Sequence, residues 1–152
     1  MKKVFVVVGA VLLVGLTLAI VGCQGPAGSQ EPATQNLSIR MGEGEVVQEV
    51  QGKEELTGEF HRWEPEVLVV HKGDKVALTV ANPRSRAHSF VLPDFGVATP
   101  RLEARTGKAT VEFTADKAGV FQFACGLAPD EAAGNCDPDH QRQVGYLIVL
   151  DQ

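Results

Sequence analysis

The sequence predicts an all-β chain folded as a single Greek-key β-sandwich, and three observations carry that expectation. Apolar side chains recur with period two in Lys75-Val76-Ala77-Leu78-Thr79-Val80 and in Thr110-Val111-Glu112-Phe113-Thr114, the spacing that puts every second residue on one face of a strand. Glu66-Val67-Leu68-Val69-Val70 and Gly145-Tyr146-Leu147-Ile148-Val149-Leu150 are denser runs of β-formers. Turn signals separate the runs at Lys72-Gly73-Asp74, Asn82-Pro83, Pro93-Asp94, Thr106-Gly107 and Lys117-Ala118-Gly119. Short strands at this spacing predict an antiparallel sandwich.

In chain order, the N-terminus comes first. Lys2 and Lys3 precede an uncharged apolar run from Val4 to Gly22, which ends in Ile20-Val21-Gly22-Cys23. That arrangement reads as a secretory signal rather than part of the fold. The final tetrapeptide resembles a bacterial lipobox, which implies a lipoprotein signal peptide at 1–22, cleavage before Cys23 and lipidation of its sulfur. A plain transmembrane anchor is the alternative, because 19 apolar residues can just span a bilayer. Either reading places the domain outside the cytoplasm, at the bacterial cell membrane. Residues 23–36 read as the lipidated cysteine and a polar linker with two prolines and no apolar period. Residues 37–152 are then one domain, since the 130 residues after cleavage suffice for one and not for two.

Within that domain, residues 37–60 give the weakest pattern: Val46-Val47 and Phe60 mark strands, while Gly42, Gly44 and the acids blur them. Asp130 to Ala133 is the best helical stretch and amounts to one turn. Loss of 1–22 removes two lysines and no acid, leaving 12 basic against 19 acidic side chains, a formal charge of −7. No basic run remains, which argues against nucleic acid as a partner. An acidic surface favours a basic redox partner, weakly, because salt screens long-range steering.

Parity singles out the residues that carry chemistry. In Ala87-His88-Ser89-Phe90-Val91-Leu92, the histidine shares the parity of Phe90 and Leu92; in Val120-Phe121-Gln122-Phe123-Ala124-Cys125, the cysteine shares that of Phe121 and Phe123. An imidazole and a thiol therefore end two inward-facing rows, at the rim of the core. His140 follows in the loop before the closing strand, with Cys136 and Gln143 beside it. One soft thiolate and two imidazoles, His88, Cys125 and His140, suit copper in an exported protein. Three plainer readings compete. His88 alone reads as a hydrogen-bonded core residue, Cys125 and Cys136 as a disulfide in an oxidising compartment, and His140 as a solvated loop residue. His61 and His71 read as surface or packing residues, Trp63 as core or rim, and Asp130, Glu131, Asp137 and Asp139 as solvated loop acids.

Three stretches resemble one known superfamily. Glu64-Pro65 with Val67-Leu68-Val69-Val70-His71-Lys72-Gly73-Asp74-Lys75-Val76, then Ala87-His88-Ser89-Phe90 with Pro93-Asp94-Phe95-Gly96-Val97, then Phe113 through Cys125 resemble the cupredoxin domains of cytochrome c oxidase subunit II and nitrous oxide reductase. The likeness covers about residues 59–150 and extends to nitrosocyanin, a red copper protein of the same superfamily. It implies that His88 matches the first histidine of the CuA domains, a glutamate in nitrosocyanin. It implies that Cys125 matches the cysteine ending the penultimate strand. Cys136, His140, Gln143 and Gly145 match the end of the CuA ligand loop, where the family has a second bridging cysteine, a histidine and a methionine. Two departures stand out. Ten residues, Gly126 to Asn135, separate the cysteines where the CuA loop has three, and Gln143 holds the methionine position. Nitrosocyanin's other histidine has no counterpart, since Ala128 stands there.

The expectation is one copper held by His88, Cys125 and His140, with Gln143 or Cys136 as the fourth group, and a two-copper centre as the alternative. The expected role is electron transfer rather than catalysis, from a donor such as a c-type cytochrome to a terminal oxidase or reductase, with the membrane engaged through lipid. Copper capture and delivery to an oxidase, catalysis at an open nitrosocyanin-like copper, and a metal-free module closed by a Cys125–Cys136 disulfide are the alternatives.

Overall fold

Nine strands in two sheets make up residues 31–151 of the computed structural model, which are the residues the structure describes. The expected signal peptide, Cys23 and residues 24–30 of the linker lie outside them. The strands are β1 (Thr34–Val50), β2 (Lys53–Glu64), β3 (Val67–His71), β4 (Lys75–Asn82), β5 (Phe90–Leu92), β6 (Val97–Ala98), β7 (Gly107–Thr114), β8 (Gly119–Cys125) and β9 (Val144–Leu150). β1 begins at Thr34, three residues inside the stretch read as linker.

The period-two pattern builds these strands as expected. β4 buries Val76, Leu78, Val80 and Asn82, and β9 buries Leu147 and Val149, while the intervening residues face outward. One sheet has the order β2-β1-β4-β7 and the other β3-β9-β8-β5-β6. The antiparallel expectation fails at two pairs: β1 runs parallel to β4, and β3 parallel to β9. The chain leaves the first sheet after β2, lays β3 into the second, and returns to place β4 beside β1. Such crossings allow parallel neighbours without a helical connection.

Gly42 and Gly44 turn out to be close-approach positions inside β1. They lie opposite Arg62 and Phe60 on β2. A methyl group on Gly44 would collide with the Phe60 ring, and one on Gly42 with the Glu64 side chain. The hairpin turns at Gln51-Gly52, both with positive φ, the backbone of the two-residue turns that fit strand twist. The Asp130–Ala133 stretch forms no helix. It is a turn closed by mutual backbone hydrogen bonds between Asp130 and Asn135. The two short 3₁₀ turns are Pro93–Phe95 and His140–Arg142.

The core lies between the sheets, with Trp63, Phe90, Phe123, Leu78, Leu92 and Leu147 fully buried. Trp63 stacks edge-on against Phe90 at 5.6 Å, and Phe90 packs on Phe123 at 5.2 Å, separations at which aromatic pairs attract. The two poles of the sandwich differ. At one, Thr34, Lys75 and Thr114 lie side by side in the first sheet, His71 pairs with Leu150 in the second, and Gly73 N–H donates to Ala115 at 2.8 Å. Buried Asp74 ties that pole together, accepting from the amides of Ala33 at 2.8 Å and His71 at 3.0 Å and from Gln35 Nε2 at 3.1 Å. The two amides hold its carboxyl below the usual carboxylate range. At the opposite pole, β8 ends in Cys125 and β9 begins after Gln143.

Candidate metal centre

All five residues singled out by sequence meet at the pole where β8 ends. His88 is placed by a two-way backbone bridge to Leu102 (3.1 and 2.7 Å) just before β5. Cys125 closes β8, and its amide donates to the Gln143 carbonyl at 3.0 Å. Trp63 Nε1 donates to the same carbonyl at 3.1 Å, so the residue read as core or rim is core and also fixes the site's backbone. Gln143 ends the 3₁₀ turn that begins at His140.

The ten-residue insertion does not carry Cys136 away. Its residues fold back on themselves through the Asp130–Asn135 pairing, and Arg101 clasps the turn through Asn135 Oδ1 and through the Ala133 carbonyl at 3.2 Å. Ala87 N–H donates to the Gly134 carbonyl at 3.0 Å, and Cys136 N–H to the Ala87 carbonyl at 2.8 Å. Cys136 is thereby laid beside His88.

His88, Cys125 and Cys136, all buried, bring their three donor atoms together. Their separations are 3.8 Å from Cys125 Sγ to His88 Nδ1, 3.7 Å from Cys136 Sγ to His88 Nδ1, and 3.6 Å between the sulfurs. Both thiols are free. His140 joins through Cys136, with its Nδ1 2.9 Å from Cys136 Sγ, and is half-buried. Gln143 Oε1 lies 3.0 Å from Cys136 Sγ and 3.2 Å from His88 Nδ1, and its residue is fully buried. Cys136, a candidate fourth group on sequence, is therefore the residue every other donor touches.

The two sulfurs are electrostatically unequal. The hydrogen bond from Cys136 and the proximity of His88 hold the Cys125 thiol well below its ordinary range, against the opposing effect of burial. Cys136 is pushed up, first by donating that hydrogen bond and then by burial. Two unequal sulfurs thus face a single imidazole nitrogen.

One neighbour was misjudged on sequence, and two others close around it. Asp137, read as a solvated acid, is only 8% exposed and sits between two imidazoles and Arg86. Its Oδ2 lies 3.5 Å from His88 Nε2, and Arg86 Nε reaches its Oδ1 at 3.1 Å. A proton on Nε2 toward this carboxylate leaves the Nδ1 lone pair facing the sulfurs, the arrangement that orients a ligating histidine. His61, read as surface or packing, lies with its ring centroid 6.3 Å from that of His88. Asp139 accepts the His61 amide at 2.5 Å. The available signal was position: two acids flanking a candidate ligand loop.

Comparison with known proteins decides the family. A cupredoxin-like domain family model matches residues 16–136. The chain belongs to the cupredoxin-like family. None of the curated protein sequences matches it. Similar solved structures include a multicopper oxidase, mgLAC (21% identity, TM-score 0.52), and two from Nitrosomonas europaea: a copper nitrite reductase (20%, 0.53) and a blue copper oxidase (16%, 0.56). Each match covers 78% of this chain and 39%, 42% and 39% of those structures respectively, so the chain spans about two fifths of their length. At these identities the likeness shows the fold.

The residues of this cupredoxin-like domain fit the copper that the family implies. Two thiols and two imidazoles, with an amide oxygen beside them, are a soft donor set of the kind copper prefers. Ligands about 2.0–2.3 Å from one ion stand about 3.3–3.8 Å apart around it at tetrahedral angles. The three separations among His88, Cys125 and Cys136, 3.6 to 3.8 Å, lie at the upper end of that range. His88 Nε2 makes no hydrogen bond, the nearest Asp137 oxygen standing 3.5 Å away, so the ring's tightly built surroundings are at Nδ1.

Proposed function

We propose that this chain is a copper-binding electron carrier, anchored by lipid outside the cytoplasm of a bacterial cell. The observation that carries the reading is two free, buried thiols 3.6 Å apart, both within 3.8 Å of the buried His88 Nδ1. His88, Cys125 and Cys136 would hold copper, with Gln143 Oε1 as a weak further donor and His140 on the solvent side. Copper supplies a one-electron couple between Cu(I) and Cu(II). The chain supplies rigidity: each ligand is fixed by a strand end, a backbone bridge or the clasped loop, so little reorganisation opposes a change of charge.

Burial favours a carrier over an enzyme. His88, Cys125, Cys136 and Gln143 are all covered, and half-buried His140 is the edge through which an electron would enter or leave. An enzyme would need a substrate to reach the metal directly. The chain enters the sandwich at Thr34, on the pole opposite the metal centre. An anchor there would turn His140 away from the membrane, toward partners such as a c-type cytochrome or the exposed domain of a terminal oxidase or reductase. Tethering raises the local concentration of such partners. Among the described residues no helix is long and apolar enough to cross a membrane; the proposed attachment is the lipid at Cys23.

A two-copper reading is favoured by one further observation. His140 Nδ1 stands 2.9 Å from Cys136 Sγ, outside the His88–Cys125–Cys136 group, so two ions held among His88, Cys125, Cys136, His140 and Gln143 would use all five residues. The long insertion, which on sequence argued against paired sulfurs, folds away and leaves them adjacent. Copper titration with visible and electron-spin-resonance spectra tests both readings. Saturation at one copper, with the unpaired electron on one nucleus, supports the single ion. Saturation at two with the electron shared supports the pair. No thiolate-to-copper colour, with both thiols still reduced, overturns the assignment.

A further inference from the structure

The loop that carries Cys136 and His140 presents a second group of donors toward β2. His61 Nδ1 stands 3.4 Å from Asp137 Oδ2 and 3.5 Å from Asp139 Oδ1, and the three donor atoms lie within 4.8 Å of one another. A charge-assisted N–H···O bond is about 2.7–2.9 Å long, so these contacts are too long for one. Asp137 Oδ2 makes no hydrogen bond at all, although its residue is only 8% exposed. The distances match a different arrangement. Nitrogen and oxygen ligands about 2.0–2.1 Å from one ion stand about 3.3–3.4 Å apart at tetrahedral angles.

The far side of each carboxylate is already engaged, which fixes the donors. Asp137 Oδ1 is held by Arg86 Nε at 3.1 Å and Asp139 Oδ2 by the His61 amide at 2.5 Å, while Asp139 Oδ1 also takes a long hydrogen bond from Gln143 Nε2 at 3.4 Å. We propose that His61, Asp137 and Asp139 form an outer cation site for a borderline divalent ion of the zinc class. One imidazole and two carboxylates, with no thiol, suit such an ion, and the carboxylates balance its charge. Calcium would require six or more oxygens. The His61 and Asp139 side chains are 20% and 21% exposed, which leaves room for water as a fourth ligand.

The outer site shares no ligand with the inner one, yet it is coupled to it. Asp137 Oδ2 faces both His61 Nδ1 and His88 Nε2, and a carboxylate oxygen has lone pairs for an ion and for an N–H. A bound ion would pin the loop of Cys136 and His140 to β2.

Cobalt(II) titration of the purified metal-free chain, followed by calorimetry and absorption, tests this. Ions at the cysteines give thiolate-to-cobalt near-ultraviolet absorption; an ion on nitrogen and oxygen alone does not. The expected result is one additional equivalent that binds without that absorption. His61→Ala should weaken this phase by at least about tenfold, the loss typical of a metal site's supporting groups. Asp139→Asn, whose amide oxygen can still accept the His61 N–H, should weaken it as well, so a folding defect in one variant does not decide the matter. Absence of the silent phase, or a silent phase unchanged in both variants, overturns the proposal. Loss of the thiolate absorption alone would count against the copper centre and leave this site standing.

Discussion

Cys125→Ser abolishes the visible colour of the copper-loaded chain and lowers copper affinity by more than about a hundredfold. Loss of a group that merely supports a ligand costs about 10–100-fold, and removal of a ligand exceeds that. Cys125 is 4% exposed at the end of β8, with Cys136 Sγ at 3.6 Å and His88 Nδ1 at 3.8 Å. Those neighbours lower its thiol below the ordinary range, which favours the thiolate that copper takes. A serine hydroxyl stays protonated and is a hard donor, so charge transfer to copper has no source. Stability changes by only about 1 kcal/mol, because the swap is nearly isosteric. Absorption spectroscopy with a competing chelator measures the first effect, and denaturant unfolding the second.

Phe90→Ala is expected to have the largest effect on the fold. Phe90 is fully buried and links Trp63 to Phe123, two residues along the strand from His88. Truncating such a ring costs about 3–5 kcal/mol in transfer and cavity terms. Against a total of about 5–15 kcal/mol for a domain, that lowers the melting temperature by roughly 10–20 °C. Val69, about half exposed on the outer face of β3, gives the contrast: Val69→Ser should move stability by no more than about 0.5 kcal/mol. Calorimetry of the metal-free protein checks both, since bound metal would mask the difference.

These two residues also show what the sequence made legible. Phe90 and Cys125 were found by parity alone, because a strand with one buried face must repeat at every second residue. The same rule located β4, β7 and β8, while dense runs of β-formers marked β3 and β9. It failed for β1 and β2, where Gly42 and Gly44 read as interruptions. Those glycines make room for Glu64 and Phe60 across the hairpin, a contact defined only once the partner strand is known. The parallel pairs β1–β4 and β3–β9 were illegible for a related reason: direction depends on how the chain crosses between sheets, and no local pattern records that.

In the candidate centre, His88 and Cys125 came from periodicity, while Cys136 and Gln143 gained weight from the family resemblance. The central place of Cys136 depends on the path of Gly126 to Asn135, whose closing contacts join residues with no repeating pattern. Asp137 was misread because burial of a loop acid is set by what the loop folds onto. A charged residue between two candidate ligands carries no periodic mark.

The most direct test of the central claim is a cycle of reduction and reoxidation of the copper-loaded chain, followed by its visible absorption and by voltammetry. The account expects the thiolate-to-copper band to vanish on uptake of one electron per centre and to return in full on reoxidation, with a reversible wave at the electrode. A chain that binds copper tightly yet shows no such band, or that loses its copper on each cycle, would contradict an electron carrier and indicate copper capture and delivery instead.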